Sequence, residues 1–147
     1  MKAITKIVVP VDLGRHTKKL VEFSVYVAEK FSASIRFIHV VEVIVTGDMM
    51  VGSPSFEPIY EEQEKKAKIA VNNIIENNRE VVQDMDGVVV RGDIVEEIVK
   101  YADDEDTGLV IIGTHGARGL ERILLGSVAE RVLKNVHCPT LTMNPYK

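Results

Sequence analysis

Disulfide chemistry is the first thing this sequence excludes. Its 147 residues contain a single cysteine, Cys138, so neither an internal disulfide nor a paired-cysteine zinc site can form, and the composition fits a reducing, cytoplasmic setting. Long apolar runs are missing as well. No stretch of 18 or more apolar residues occurs, and Met1 leads into IVVPVD without an apolar run of signal-peptide length behind a basic stretch; neither a membrane span nor secretion is expected. With 18 Lys and Arg against 22 Asp and Glu, a net charge of -4 and no basic block, the long-range field repels nucleic acid. Internal repeats and low-complexity tracts are absent. So is the P-loop pattern GxxxxGK[ST], and the first apolar run lacks a GxGxxG turn, which excludes the standard ATPase and dinucleotide sites. The four histidines include no pair at HxxxH spacing, so a zinc site has no support.

What is present is enough apolar material, 46% of the chain, to bury one sizeable core, and a single domain over residues 1–147 is expected. Lys6 to Val11, KIVVPV, reads as a buried strand that Pro10 brings to its end. From Thr17, the residues Leu20, Phe23, Val27, Ala28 and Phe31 recur at helical spacing. Ser34 to Val41 is a second strand. Thr46 to Glu57 is a connector rich in Gly, Ser and Pro, in which Met49, Met50 and Val51 offer an adaptable apolar contact or an incidental one. Pro58 opens a helix whose stripe of Ala67, Ala70, Val71, Ile74 and Ile75 runs to about Asn77. Gly87 to Arg91 is a third strand, and Asp93 with Glu96 forms a capping box before a helix that ends in the acidic run Asp103 to Asp106. Leu109 to Ile112 is a fourth strand. Ser127 with Glu130 marks a further capping box and helix, and Thr140 to Met143 makes a last short strand at a sheet edge. This alternation predicts an α/β fold: a doubly wound, five-stranded parallel sheet with helices on both faces. In such sheets the ligand crevice lies beyond the carboxyl ends of the strands, where the winding reverses.

The chemistry concentrates after the fourth strand. Gly113-Thr114-His115-Gly116 is followed by nine residues and then by Gly126-Ser127 at a helix start. Glycines let backbone approach an anion and adopt conformations closed to other residues, while the first turn of a helix offers unpaired N–H groups and the positive end of its dipole. Ser127 adds a hydroxyl, and Arg118 or Arg122 a charge-assisted donor. The competing reading makes Ser127 a plain N-cap and the glycines turn residues; as a set behind a strand, they favour a phosphate chain. Asp12, at the end of the first strand, suits an amino group, a ribose hydroxyl or a magnesium ion, or else caps a turn before Gly14. A receiver-type reading fails because it needs clustered acids, and only Asp93 is placed like Asp12. His39 reads as a strand residue near the crevice and His115 as a residue within reach of phosphate. His16 and His137 read as surface or turn residues. His137-Cys138 does not make a base and nucleophile, since neighbours in sequence seldom reach each other and Pro139 stiffens the turn; Cys138 reads as buried and inert.

The stretch GTHGARGLERILLGSVAERVLKNVHCPTLTM, from Gly113 to Met143, resembles the C-terminal signature of the universal stress proteins, GxxG, nine residues, then G[ST], at Gly113, Gly116, Gly126 and Ser127. IVVPVDLG, FIHVV and VVVRGDIVEEIVKYA extend the resemblance over essentially the whole chain. It implies strand order 3-2-1-4-5, as in the adenine nucleotide alpha hydrolase-like fold, and ATP, with or without magnesium or manganese, lying across the strand ends. Phosphates would rest on Gly113, Gly116, Gly126, Ser127 and Val128, with Arg118 nearby. Pro10, Val11, Asp12 and Val40 would hold adenine and ribose, and Ile112, Thr114 and His115 would line the site. Ala129 departs from members with threonine there, which removes one phosphate contact. The resemblance also implies a homodimer through Thr140 to Met143 and an unidentified regulatory protein partner. Three functions compete: an ATP-binding regulator in the stress response, a slow metal-dependent ATPase without an evident general base, and a nucleotide-free dimeric interaction module.

Overall fold

The computed structural model describes residues 1–44, 55–116 and 124–147. Within them the chain forms β1 (Lys6–Pro10), α1 (Thr17–Phe31), β2 (Ser34–Glu42), α2 (Glu57–Asn78), β3 (Met85–Gly92), α3 (Ile94–Asp104), β4 (Leu109–Gly113), α4 (Ser127–Asn135) and β5 (Thr140–Met143). The strands make one sheet in the order β3-β2-β1-β4-β5 with every pairing parallel, which is the doubly wound arrangement that the alternation of elements predicts.

The pleat of the central strands sorts the core into two halves. Ile7 and Val9 of β1 point to the face covered by α1 and α2, where they meet Ile35, Phe37, Leu109 and Ile111. Val8 points the other way and joins Ile38, Val40, Val110 and Ile112 beneath α3 and α4. Ile7, Val8 and Val9 are all fully buried, which is why β1 is an uninterrupted β-branched run: successive residues serve opposite faces and neither face meets water.

Boundaries shift where pairing overrides local preference. β3 starts at Met85, two residues before Gly87, because Met85 and Asp86 already pair with Ile35 and Arg36 of β2. Gly87 itself is needed for close approach: a Cβ there would stand 2.6 Å from Val71 Cγ1 on α2. In α1 the buried stripe consists of Leu20, Val21, Ser24, Val25, Val27 and Ala28. Phe31, expected on that stripe, is the last helical residue before the left-handed turn at Ser32 and is 52% exposed. Arg91 ties the end of β3 to α2 by pairing with Glu57 at 2.8 Å and with Glu64.

Candidate functional site

The winding reverses at β1, whose neighbours are β2 on one side and β4 on the other. Beyond the carboxyl ends of these strands lies a crevice of about 600 Å³, a size suited to a small-molecule ligand. It brings together Pro10, Val11, Asp12, Val40, Ile112, Gly113, Thr114, His115, Gly116, Gly126, Ser127 and Val128. Arg118 and Arg122 lie outside the described residues, as do Met49, Met50 and Val51. Another groove, of about 540 Å³ between α3 and α4, is shallow and lies away from the strand ends.

The glycines of the signature act through space rather than through special backbone conformation. Among the described glycines, positive φ occurs at Gly92, outside the crevice, so the expectation of unusual conformations at Gly113, Gly116 and Gly126 is corrected. Gly126 is extended (φ -66°, ψ 157°) and donates its N–H to Thr114 O at 2.6 Å; a Cβ on it would stand 3.0 Å from that same oxygen. Thr114 N–H in turn donates to Met143 O at 2.9 Å. This crossed pair of backbone bonds fixes the start of α4 against the ends of β4 and β5.

Ser127 does not cap α4. The N-cap is Gly126, Ser127 is the first helical residue, and among the described residues no side-chain hydrogen bond caps the helix start. The predicted capping box fails because its glutamate is engaged elsewhere: Glu130 pairs with Lys134 at 2.7 Å, and that hydrogen bond holds its carboxyl below the usual range. The consequence favours ligand binding. The N–H groups of Ser127, Val128 and Ala129 have no carbonyl one turn earlier within the helix, and they sit at the crevice with the positive end of the α4 dipole. Asp93, by contrast, is a working N-cap, accepting Glu96 N–H at 3.0 Å.

Asp12 fulfils its turn-forming reading and keeps an atom in reserve. Oδ1 accepts from Gly14 N–H at 2.8 Å and Thr17 Oγ1–H at 3.2 Å. Oδ2 faces Gly116, at 3.6 Å from the place of a Cβ there. The turn carries Leu13 in the left-handed region at φ 61°, which a leucine adopts only when the surroundings impose it.

Of the four histidines, His16 departs from expectation. His39 Nδ1 lies 2.8 Å from Val11 O; since a carbonyl only accepts, Nδ1 carries a proton in that contact. His115 is 4% exposed, with Nδ1 2.8 Å from Thr114 Oγ1 and Nε2 buried without a hydrogen-bond partner. His16, read from sequence as a surface or turn residue, lines the crevice, because α1 starts there and folds over the end of β1. Partial burial and then the Arg15 charge push its pKa below 6.5. The signal for it was its position at a helix start just behind a strand-end acid. His137 pairs with Asp103 at 3.2 Å, while burial pushes the half-buried Cys138 thiol up, against a nucleophilic role. Among the described residues, no group of three or more His, Cys, Asp and Glu is arranged to hold a metal ion, and no helix is long and apolar enough to cross a membrane.

A sequence model of the universal stress protein family matches residues 3–143. A universal stress protein of Methanocaldococcus jannaschii is 35% identical over 145 residues, covering 97% of this chain and 83% of its own length. The structure of universal stress protein UspA from Lactobacillus plantarum superposes with a TM-score of 0.77 at 20% identity, covering 97% of this chain and 99% of the other. The universal stress protein of Archaeoglobus fulgidus, solved in complex with dAMP, superposes with a TM-score of 0.66 at 19% identity, covering 96% and 98% of the two chains.

Proposed function

The chain belongs to the universal stress protein family, and from that premise we propose that it is a cytoplasmic regulator of the stress response that binds an adenine nucleotide, ATP, in the crevice at the carboxyl ends of β1 and β4. The observation that carries the proposal is the uncapped first turn of α4. The three residues whose N–H groups lack a helical partner line the same crevice as an acid at the end of β1, a pairing of anion-binding and ribose-binding chemistry across one gap. The dAMP complex of a relative with the same fold supports adenine nucleotide as the ligand class.

In this reading Gly113, Gly116, Gly126, Ser127 and Val128 cradle the phosphates, and the Ser127 hydroxyl, which caps nothing, donates to them. Ile112, Thr114 and His115 form the wall behind, and Arg118 supplies charge. Pro10, Val11 and Val40 give the base an apolar seat, with Asp12 Oδ2 left to accept from ribose. A magnesium or manganese ion would enter with the phosphates, since such ions keep several waters and need one or two carboxylates; Asp12 and Glu42 are the acids among the described residues that line the crevice. Regulation follows if the loaded and empty forms differ in affinity for a protein partner. β5 lies at the sheet edge with Leu141 37% exposed, which supports self-pairing into a homodimer.

Titration calorimetry of nucleotide-stripped protein with ATP and magnesium tests the reading. Saturable binding at one site per chain is expected, micromolar affinity corresponding to about 8 kcal/mol. Absence of heat together with absence of thermal stabilisation would overturn it in favour of an interaction module. ATP that stays intact for hours in the complex separates a regulator from a slow ATPase.

A further inference from the structure

Behind β5 the chain makes a tight turn at Asn144 and Pro145. Tyr146 N–H donates to Asn144 Oδ1 at 2.9 Å, and Lys147 N–H reaches Asn144 O at 3.3 Å. Asn followed by Pro is the residue chemistry of such a turn. Pro145 is fully buried and lines the crevice, and its carbonyl accepts from Lys19 Nζ on α1 at 2.7 Å. The turn delivers the Tyr146 ring between two histidines of two different crevice loops, with centroids 4.9 Å from His16 and 4.9 Å from His115, edge-on to both.

The hydrogen bonds of the phenol are directional. Its oxygen accepts from Arg15 Nη2 at 2.8 Å and lies 3.2 Å from His16 Nε2. One acceptor position is thus occupied, and the phenol's own proton is available to the neutral imidazole. The lowered pKa of His16 keeps that acceptor in place near neutral pH. On the other side His115 is joined to Thr114 Oγ1, and the Thr114 backbone holds both Gly126 and Met143. A continuous line of contacts therefore runs from the β1–α1 loop through Tyr146 to the first turn of α4 and to β5.

We propose that Tyr146 is a positioning residue of the nucleotide site, tying the loop of Asp12 and His16 to the loop of Thr114 and His115 and so setting the width across which ribose and phosphates are held. The proposal rests on the nucleotide reading above. It also couples the site to the sheet edge, because Tyr146 follows the last residue of β5 by three positions, and whatever pairs with β5 bears on the same turn.

The test compares wild type with Tyr146→Ala and Tyr146→Phe by two independent readouts: calorimetric titration with ATP and with adenosine, and backbone amide hydrogen exchange without any ligand. Tyr146→Ala is expected to weaken ATP about tenfold and adenosine at most about twofold, because ATP alone spans both loops. Exchange at Thr114 and Gly126 should quicken about tenfold while the amides of β2 stay protected. Tyr146→Phe keeps the ring between the histidines and should recover most of both effects. Unchanged exchange at Thr114 and Gly126 in Tyr146→Ala, or equal loss of ATP and adenosine, would overturn the proposal and leave Tyr146 a purely structural residue. If wild type binds neither compound, the nucleotide reading and the ligand part of this proposal fall together, while the exchange rates still decide whether Tyr146 ties the loops.

Discussion

Asp12 and Gly116 face each other across the mouth of the crevice, with Asp12 Oδ2 3.6 Å from where a Gly116 Cβ would stand. One oxygen of the acid is spent on its own turn and the other is directed at the gap. The two roles are separable by substitution. Asp12→Asn retains an oxygen for Gly14 N–H and loses the charge, so the thermal midpoint should stay near that of wild type while ATP binding weakens about tenfold, the worth of one charge-assisted hydrogen bond. Asp12→Ala should lower both. Calorimetric titration beside thermal melts checks the pair, and an Asp12→Asn protein with full affinity would remove Asp12 from the ligand site.

The signature glycines are predicted to differ in tolerance. A Cβ on Gly126 would press on Thr114 O at 3.0 Å, whereas one on Gly113 finds its nearest neighbour, His115 O, at 3.6 Å. Gly126→Ala should therefore cost about 1–2 kcal/mol in urea denaturation, as overpacking does, and Gly113→Ala should stay within about 0.5 kcal/mol of wild type. Gly126→Val should also abolish nucleotide binding by pushing α4 away from Thr114. Equal stability losses at the two positions would contradict the packing described here.

Stability should fall with acid in two stages. His16 has a folded pKa depressed below 6.5, so the unfolded chain takes up its proton first and stability declines as pH drops below about 6.5 toward the folded value. Glu64 is depressed below 4.5 by its hydrogen bond from Arg91; its contribution is present above that value and lost as pH falls through the folded pKa. Urea midpoints measured from pH 8 to pH 3 should show a shallow upper stage that His16→Asn removes. Glu64→Gln should reduce the lower stage without abolishing it, because Asp106 and Glu130 are depressed in the same sense by Lys2 and Lys134.

The edge strand offers a further check. Leu141 is 37% exposed on β5, which pairs with β4 on one side alone. If two copies pair there, Leu141→Lys should convert a dimer to a monomer in sedimentation equilibrium while the thermal unfolding of the monomer stays close to that of wild type. A wild-type protein that is monomeric at high concentration would exclude this interface.

Much of the fold was legible because it is written in local pattern. The β-branched run of β1, the apolar stripe of α1 as far as Ala28 and the Asp93 cap each report a local preference, and each occurs where the sequence pattern put it, while Phe31 falls off the stripe at the helix end. The signature that carries the resemblance to universal stress proteins is likewise close in sequence, and the fold brings its Gly113, Gly116, Gly126 and Ser127 to one crevice with Pro10 to Asp12 and Val40. Ser127 shows where local reading failed. A serine three residues before a glutamate reads as a capping box, yet Gly126 took the cap and Lys134 took the glutamate.

By itself the sequence determined which segments are strands and helices, which faces they bury, and that a glycine-flanked helix start follows the fourth strand, because these depend on contacts a few residues apart. Tertiary structure alone decided that the first turn of α4 is uncapped, that Asp12 divides its two oxygens between turn and gap, and that His16 and Tyr146, 130 residues apart, meet at the crevice. Those facts depend on where the crossovers carry distant strand ends, and no periodicity along the chain encodes a distance that only the closed sheet creates.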